Sequence, residues 1–170
     1  MELVNMLINP TERGYELTWH RDTIKVTASI EEQEQQLALQ TSSIQWNHAL
    51  YDDGCFWVVP ATHKRALDAQ EQAALERNDR GDIRGAMQVL LREGTALFYN
   101  HNLLHRGVYD HRVKRATLHA SLGAAAHNMG YREGNLEDHR VEWLLRNGVR
   151  ESMHRDAVAL YDNYRRMLNI

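Results

Sequence analysis

His20 and Asp22 stand two residues apart at the end of a predicted strand, Tyr15 to His20, and extended chain alternates its side chains, so both turn to one face. One cation can accept both. A third ligand has to come from a distant strand of a barrel. Among ten histidines the best placed is His105, in Leu103-Leu104-His105-Arg106-Gly107, a strand segment with apolar neighbours. Two imidazoles and a carboxylate on one side of a metal leave the opposite positions for an oxidant and a co-substrate, the arrangement that oxygen-activating non-haem iron(II) prefers. The bland alternative for the same residues is a surface His-Asp pair and a hydrogen-bonded core histidine. Downstream come Arg115 and, two residues on and so on the same strand face, Thr117. A guanidinium fork matches a carboxylate and a hydroxyl adds a donor, as anchoring the far carboxylate of 2-oxoglutarate requires. The alternative for Arg115 is an exposed strand arginine, since Arg112 and Lys114 lie close by.

Other chemistries have less behind them. His101 and His105 are four apart, which in a helix would suit zinc, but Asn102 stands where the metalloprotease motif has its general-base Glu and the segment reads as strand. Ser121 and Cys55 lack an elbow or oxyanion signature for nucleophilic catalysis.

The elements that must position these residues are short strands: Tyr15 to His20, Ile24 to Ala28, Ile44 to Leu50, Cys55 to Pro60, Met87 to Leu91, Thr95 to Tyr99, Leu103 to Tyr109 and Ala116 to Leu122, most of them bounded by Gly, Asp, Asn or Pro. So many strands with so few helices between them predict a mainly β body, a jelly-roll barrel in residues 1–123. Helical insertions are expected near 29–40, where Ser29 and Glu32 form a capping-box pattern, and near 66–78, which is rich in Ala, Gln and Glu. Both read as solvated surface helices, with a lid as the alternative. Residues 124–170 carry two amphipathic patterns, Val141, Leu144, Leu145 and Val149, then Met153, Ala157, Leu160, Tyr161, Tyr164 and Met167. They predict C-terminal helices packed on the barrel, or on a second copy as a homodimer face, within a single domain.

Composition excludes several functions. The chain of 170 residues is 43% hydrophobic, enough for one core. Its net charge of −3, with basic and acidic residues interspersed, offers no footprint for nucleic acid. The single cysteine rules out an internal disulfide framework and a multi-thiolate zinc site. Met1 to Pro10 lacks the basic flank and cleavage site of a signal peptide, and no run approaches the roughly 20 apolar residues of a membrane helix, so a cytoplasmic setting without membrane contact is expected.

Four stretches carry a family resemblance: Trp19-His20-Arg21-Asp22; Asp53-Gly54-Cys55-Phe56-Trp57-Val58-Val59-Pro60-Ala61-Thr62-His63-Lys64; Gly94-Thr95-Ala96-Leu97-Phe98-Tyr99 leading into Leu104-His105-Arg106-Gly107; and Lys114-Arg115. In order and spacing they resemble the phytanoyl-CoA dioxygenase family. The second is the most specific, being similar to that family's Asn-Gly-Cys-x-x-Val-x-Pro-Gly-Ser/Thr-His-Lys segment. The resemblance implies a cupin-like double-stranded β-helix, with iron(II), 2-oxoglutarate and O2 used to hydroxylate an unactivated carbon of a small-molecule substrate. It also implies that His20, Asp22 and His105 bind iron, that Arg115 holds 2-oxoglutarate and that Asn47 lies near the co-substrate. Related halogenases lack the carboxylate of the His-x-Asp pair, so Asp22 favours hydroxylation. No Lys/Arg cluster marks a CoA phosphate site, which points to a small or apolar substrate. Three departures stand out. Ala61 replaces the family's Gly. Gly107 replaces a Ser common two residues after the distal His, with Thr117 as a substitute donor. Relatives also carry a much longer stretch before the His-x-Asp motif, which leaves a catalytically silent or truncated metal-binding scaffold as the alternative.

Overall fold

The computed structural model describes residues 3–39, 43–78, 80–81, 83–123 and 146–167. Eight strands form two four-stranded antiparallel sheets: β1 (Leu3–Ile8), β2 (Tyr15–Glu16), β3 (Ser43–Ala49), β4 (Asp53–Val59), β5 (Met87–Leu91), β6 (Ala96–Tyr99), β7 (Leu104–Tyr109) and β8 (Ala116–Gly123). One sheet runs β1-β8-β3-β6 and the other β2-β7-β4-β5. Successive strands thus alternate largely between sheets, the wrapping of a jelly-roll double-stranded β-helix, as expected.

Two strand expectations need correction. Ile24 to Ala28 is not a strand but a turn, closed by Ala28 N–H donating to the Lys25 carbonyl; its apolar residues serve as plugs, with Ile24 buried and Val26 packed on the core. Conversely, β1 was not anticipated. Leu3 to Ile8 pairs along its whole length with β8, from Leu3 opposite Ser121 to Ile8 opposite Ala116, and forms a sheet edge.

Both insertions are helices, and each starts at a capping box. In α1 (Ile30–Ala38) the Glu32 amide donates to Ser29 Oγ and the Ser29 amide to Glu32 Oε2. In α2 (Ala69–Glu76) Asp68 and Glu71 exchange the same pair of bonds. The expectation of merely solvated helices fails for α2: Ala74 and Leu75 pack with Trp19, Val59, Leu67, Ile83 and Leu104 into the larger apolar core. That core lies on the outer face of the β2-β7-β4-β5 sheet. Between the sheets the apolar cluster is smaller, Phe56, Val58 and Tyr99, because most inward positions there are polar.

The outer face of the other sheet is different. In-register rows set Val4 beside Ala120 and Trp46, and Trp46 beside Phe98; Met6, Leu118, His48 and Ala96 form the next row. Val4, Met6, Ile8, Ile44, Phe98 and Leu122 on this face are exposed. At the C-terminus, α3 (Val149–Ser152) and α4 (Arg155–Met167) confirm part of the helical expectation, with Tyr161 buried. Val141, Leu144 and Leu145 lie outside the described residues. No helix among the described residues is long and apolar enough to cross a membrane.

The turn after β4 is where Ala61 departs from glycine. Ala61 sits at φ 66°, ψ −3°, the left-handed region, which costs a residue with a Cβ about 1 kcal/mol. The turn is kept because it delivers Thr62. This fully buried hydroxyl donates to the Val59 carbonyl and accepts the Leu104 amide, tying the end of β4 to the start of β7. Ala61→Gly should therefore stabilise the fold by up to about 1 kcal/mol after the entropy gained by the unfolded glycine is subtracted. Urea unfolding checks this; a lower midpoint for the variant would contradict the strain assigned to Ala61.

Candidate metal and co-substrate site

The two motif segments meet through their backbones. His20 N–H donates to the His105 carbonyl at 3.0 Å and His105 N–H returns to the His20 carbonyl at 3.1 Å, an isolated antiparallel bridge beyond β2. Asp22 N–H donates to the His101 carbonyl. Paired residues of an antiparallel bridge turn their side chains to the same side. The His20 and His105 rings accordingly face each other, with centroids 4.4 Å apart.

Asp22 closes the group. Its Oδ1 lies 3.7 Å from His20 Nε2 and its Oδ2 3.9 Å from His105 Nε2. One ligand atom from each of the three residues lies within 4.8 Å of the others, and among the described residues this is the His/Cys/Asp/Glu group that could hold a metal ion. The tautomers suit that role. His20 Nδ1 is 2.8 Å from the Thr18 carbonyl and His105 Nδ1 is 2.8 Å from the Leu103 carbonyl. A carbonyl can only accept, so each Nδ1 carries a proton and each Nε2 is left to the shared space. Burial lowers the His105 pKa to about 4, the Asp22 charge opposing this, so the ring is neutral at pH 7 as a metal ligand must be.

Arg21, between the two ligands, points the other way. It is buried, and it donates to the Thr62 and Arg65 carbonyls and to Gln33 Oε1, with its pKa lowered by burial to about 10. The motif is thus clamped from behind to the turn after β4 and, through Gln33, to α1.

Two partners of the ligand group were not singled out from sequence. Gln45, inward on β3, donates through Nε2 to Asp22 Oδ2 at 2.8 Å and to His101 Nδ1 at 3.0 Å. It is two residues before Asn47, and strand alternation could have found it. His119 is the other. It lies opposite Asn47 in the register, its Nδ1 is 2.8 Å from Asn47 Oδ1, and its pKa is lowered by burial, with Asp22 pulling the other way and Arg115 adding to the lowering. It shares the inward face of β8 with Arg115 and Thr117, in steps of two. Asn47, expected near the co-substrate, is buried in this same wall.

Arg115 and Thr117 converge on Asp53. Arg115 Nε donates to Asp53 Oδ2 at 2.8 Å, the Thr117 hydroxyl donates to the same oxygen, and the Cys55 amide holds Oδ1. Burial works to raise the Asp53 pKa, but the Thr117 and Cys55 hydrogen bonds and the Arg115 charge outweigh it and hold the carboxyl below its ordinary value. Arg115 is buried, not exposed, and its Nη1 has no hydrogen-bond partner among the described residues. A buried donor of a charged group left in that state is costly, and a ligand carboxylate would satisfy it. Cys55 is buried beside this pair with its thiol pushed up to about 11, so it is no nucleophile at neutral pH. His101 is in a turn before β7 rather than on a helix, so it does not form a helical zinc pair with His105.

The family model for phytanoyl-CoA dioxygenase matches residues 1–108. Among solved structures, EctD of S. alaskensis with 2-oxoglutarate and 5-hydroxyectoine is similar at 19% identity and a TM-score of 0.50, over 72% of this chain and 43% of that one. The same protein with bound Fe gives 19% identity and a TM-score of 0.50, over 72% and 44%. AviO1 of Streptomyces viridochromogenes gives 18% identity and 0.50, over 72% and 50%. These likenesses show a shared fold, and the chain spans about half or less of the length of each of the three. No curated protein matches.

Two outcomes follow from the site's geometry. His105 stays neutral when folded but takes up a proton in the unfolded chain below pH 6.5, so the metal-free protein should lose stability as pH falls from 6.5 towards 4, with no further loss from this group below. Thermal melts of wild type and His105→Gln test this; an equally steep decline in the variant would remove His105 as the cause. Gln45→Leu, which frees the Asp22 carboxylate, should weaken Mn(II) binding by about 10-fold or more by calorimetry. Unchanged affinity would show that the amide does not orient the ligand.

Proposed function

Because the chain belongs to the phytanoyl-CoA dioxygenase family, we propose that it is an iron(II)- and 2-oxoglutarate-dependent oxygenase that hydroxylates an aliphatic carbon of a small molecule. The observation that carries this reading is the convergence of His20, Asp22 and His105, with both imidazoles locked to offer Nε2. Two imidazole nitrogens and one carboxylate suit iron(II) and leave other positions open. The unpartnered Arg115 Nη1 suits the far carboxylate of 2-oxoglutarate. When bound, iron(II) supplies O2 activation coupled to conversion of 2-oxoglutarate to succinate and CO2, the second oxygen atom entering the substrate C–H bond.

The chain's own residues do the rest. The Thr18 and Leu103 carbonyls fix the imidazole tautomers, and Gln45 holds one Asp22 oxygen so that the other faces the metal position. Phe56 and Tyr99 flank His105 at ring distances of 5.3 and 5.5 Å and wall that side against water. Arg115 fixes the far end of the co-substrate, and a small or apolar substrate fits a site without a basic cluster for CoA phosphates.

A second reading is a cupin-like metal-binding scaffold without turnover, favoured by the pairing of Arg115 with Asp53. It requires metal uptake without 2-oxoglutarate consumption. The discriminating assay follows succinate formed from 2-oxoglutarate by the full chain with iron(II). Wild type should form it in an iron-dependent way, and Asp22→Ala should be at least about 100-fold slower. Equal rates for the two would refute the assigned centre, and iron uptake by a wild type that forms no succinate would favour the scaffold.

A further inference from the structure

Gly107 offers no hydroxyl to the inward face of β7, and the hydrogen of the nearby Thr117 hydroxyl goes to Asp53. The structure offers another hydroxyl. Gly107 lies on the inward face of β7, between His105 and Tyr109. A Cβ built on it would fall 2.6 Å from Tyr109 Oη, 2.6 Å from Cε2 and 2.7 Å from Cζ. The Tyr109 side chain therefore folds back along its own strand and places its phenol in the space that a short side chain at 107 would fill.

Two contacts hold it there. Tyr15, opposite Tyr109 in the β2–β7 register, stacks on its ring at 4.5 Å with an interplanar angle of 21°. The Arg115 guanidinium carbon lies 5.1 Å from the ring centroid. Glycine at 107 leaves the space open; any larger residue would collide with the ring. Meanwhile Asp53 occupies Arg115 Nε, which fixes the fork and leaves Nη1 without a partner among the described residues, on a side chain only 3% exposed.

Resting on the oxygenase reading above, we propose that Tyr109 Oη and Arg115 Nη1 together bind the far carboxylate of 2-oxoglutarate. The phenol supplies the neutral donor beside the charged one, and Asp53 acts as the residue that positions the guanidinium. Burial raises the Tyr109 pKa, so the phenol keeps its proton and remains a donor at neutral pH. The Gly107–Tyr109 combination is then a compensated pair, in which a missing hydroxyl on one residue is restored from two positions along the same strand face.

The test is anaerobic calorimetry on the full chain, with Mn(II) titrated first and 2-oxoglutarate second, for wild type and Tyr109→Phe. The variant keeps the ring and its stacking and loses the hydroxyl. Support is unchanged Mn(II) affinity with 2-oxoglutarate bound about 10-fold more weakly, the size expected for one hydrogen bond to a charged group. Equal 2-oxoglutarate affinity in the two proteins would overturn the role of Tyr109 while leaving the oxygenase reading intact. Loss of Mn(II) and 2-oxoglutarate affinity together would also overturn it, by showing that the ring supports the whole cavity. A wild type that takes Mn(II) but never 2-oxoglutarate would bring down the oxygenase reading, and this inference with it.

Discussion

A pair of reciprocal backbone hydrogen bonds, between His20 and His105, is the constraint from which the rest of the site follows. It joins chain positions far apart in sequence at one antiparallel step, and that step decides which way both imidazoles face. Loop closure over such a separation is entropically costly, so the bridge needs support from both sides. β7 is held by β4 in register from Phe56–Gly107 to Val59–Leu104, and its first amide is captured by Thr62. The His-x-Asp segment is held from behind by Arg21 on the carbonyls of Thr62 and Arg65. Trp19, immediately before it, is sunk in the core beneath α2 and donates its indole N–H to the Gly81 carbonyl. The tight turn that strains Ala61 is thus part of the same device: it brings Thr62 to where two separate strands can be pinned.

The second half of the site is organised around a buried ion pair. Asp53 and Arg115 are each almost fully desolvated, and such pairs survive when the remaining lone pairs and protons are satisfied. Asp53 meets that condition through Thr117 and the Cys55 amide; Arg115 does not, since Nη1 is left over. The imbalance is local and directional. One partner is complete, and the other keeps an Nη1 group without a partner among the described residues. His119 and Asn47 sit on the same inward wall and connect this half to the ligand group.

Much of this was legible in the sequence, for reasons that can be named. The candidate ligands could be picked out because His-x-Asp spacing on extended chain forces two side chains to one side, and the four family-like stretches supply their order. The strands from β3 to β8 follow from apolar alternation between turn residues, and the capping box at Ser29 starts α1 where expected. What stayed hidden depends on pairing across the chain. β1 looks like an unremarkable apolar stretch until β8 lies beside it. Ile24, Val26 and Ala28 alternate like a strand yet have no strand to pair with, and their burial arises from a turn pressed on the core. Gln45 could have been placed inward by alternation from Asn47, but its bond to Asp22 and the position of His119 opposite Asn47 show only in the folded chain. The claim of Asp53 on Thr117 was equally invisible, because acid, arginine and hydroxyl come from three separate places in the sequence.

The two sheets differ in what shelters their backs. One carries α2 and the principal core; the other presents Val4, Met6, Ile8, Ile44, Phe98 and Leu122 to solvent in adjoining rows. Exposed apolar side chains of this kind add to the attraction between molecules of the chain in a tube. Attraction through it has the thermodynamics of oil in water: it weakens on cooling and strengthens in sulfate or phosphate. Choice of buffer salt and temperature therefore sets the chain's colloidal behaviour, independently of whatever chemistry takes place on the opposite side of the same four strands.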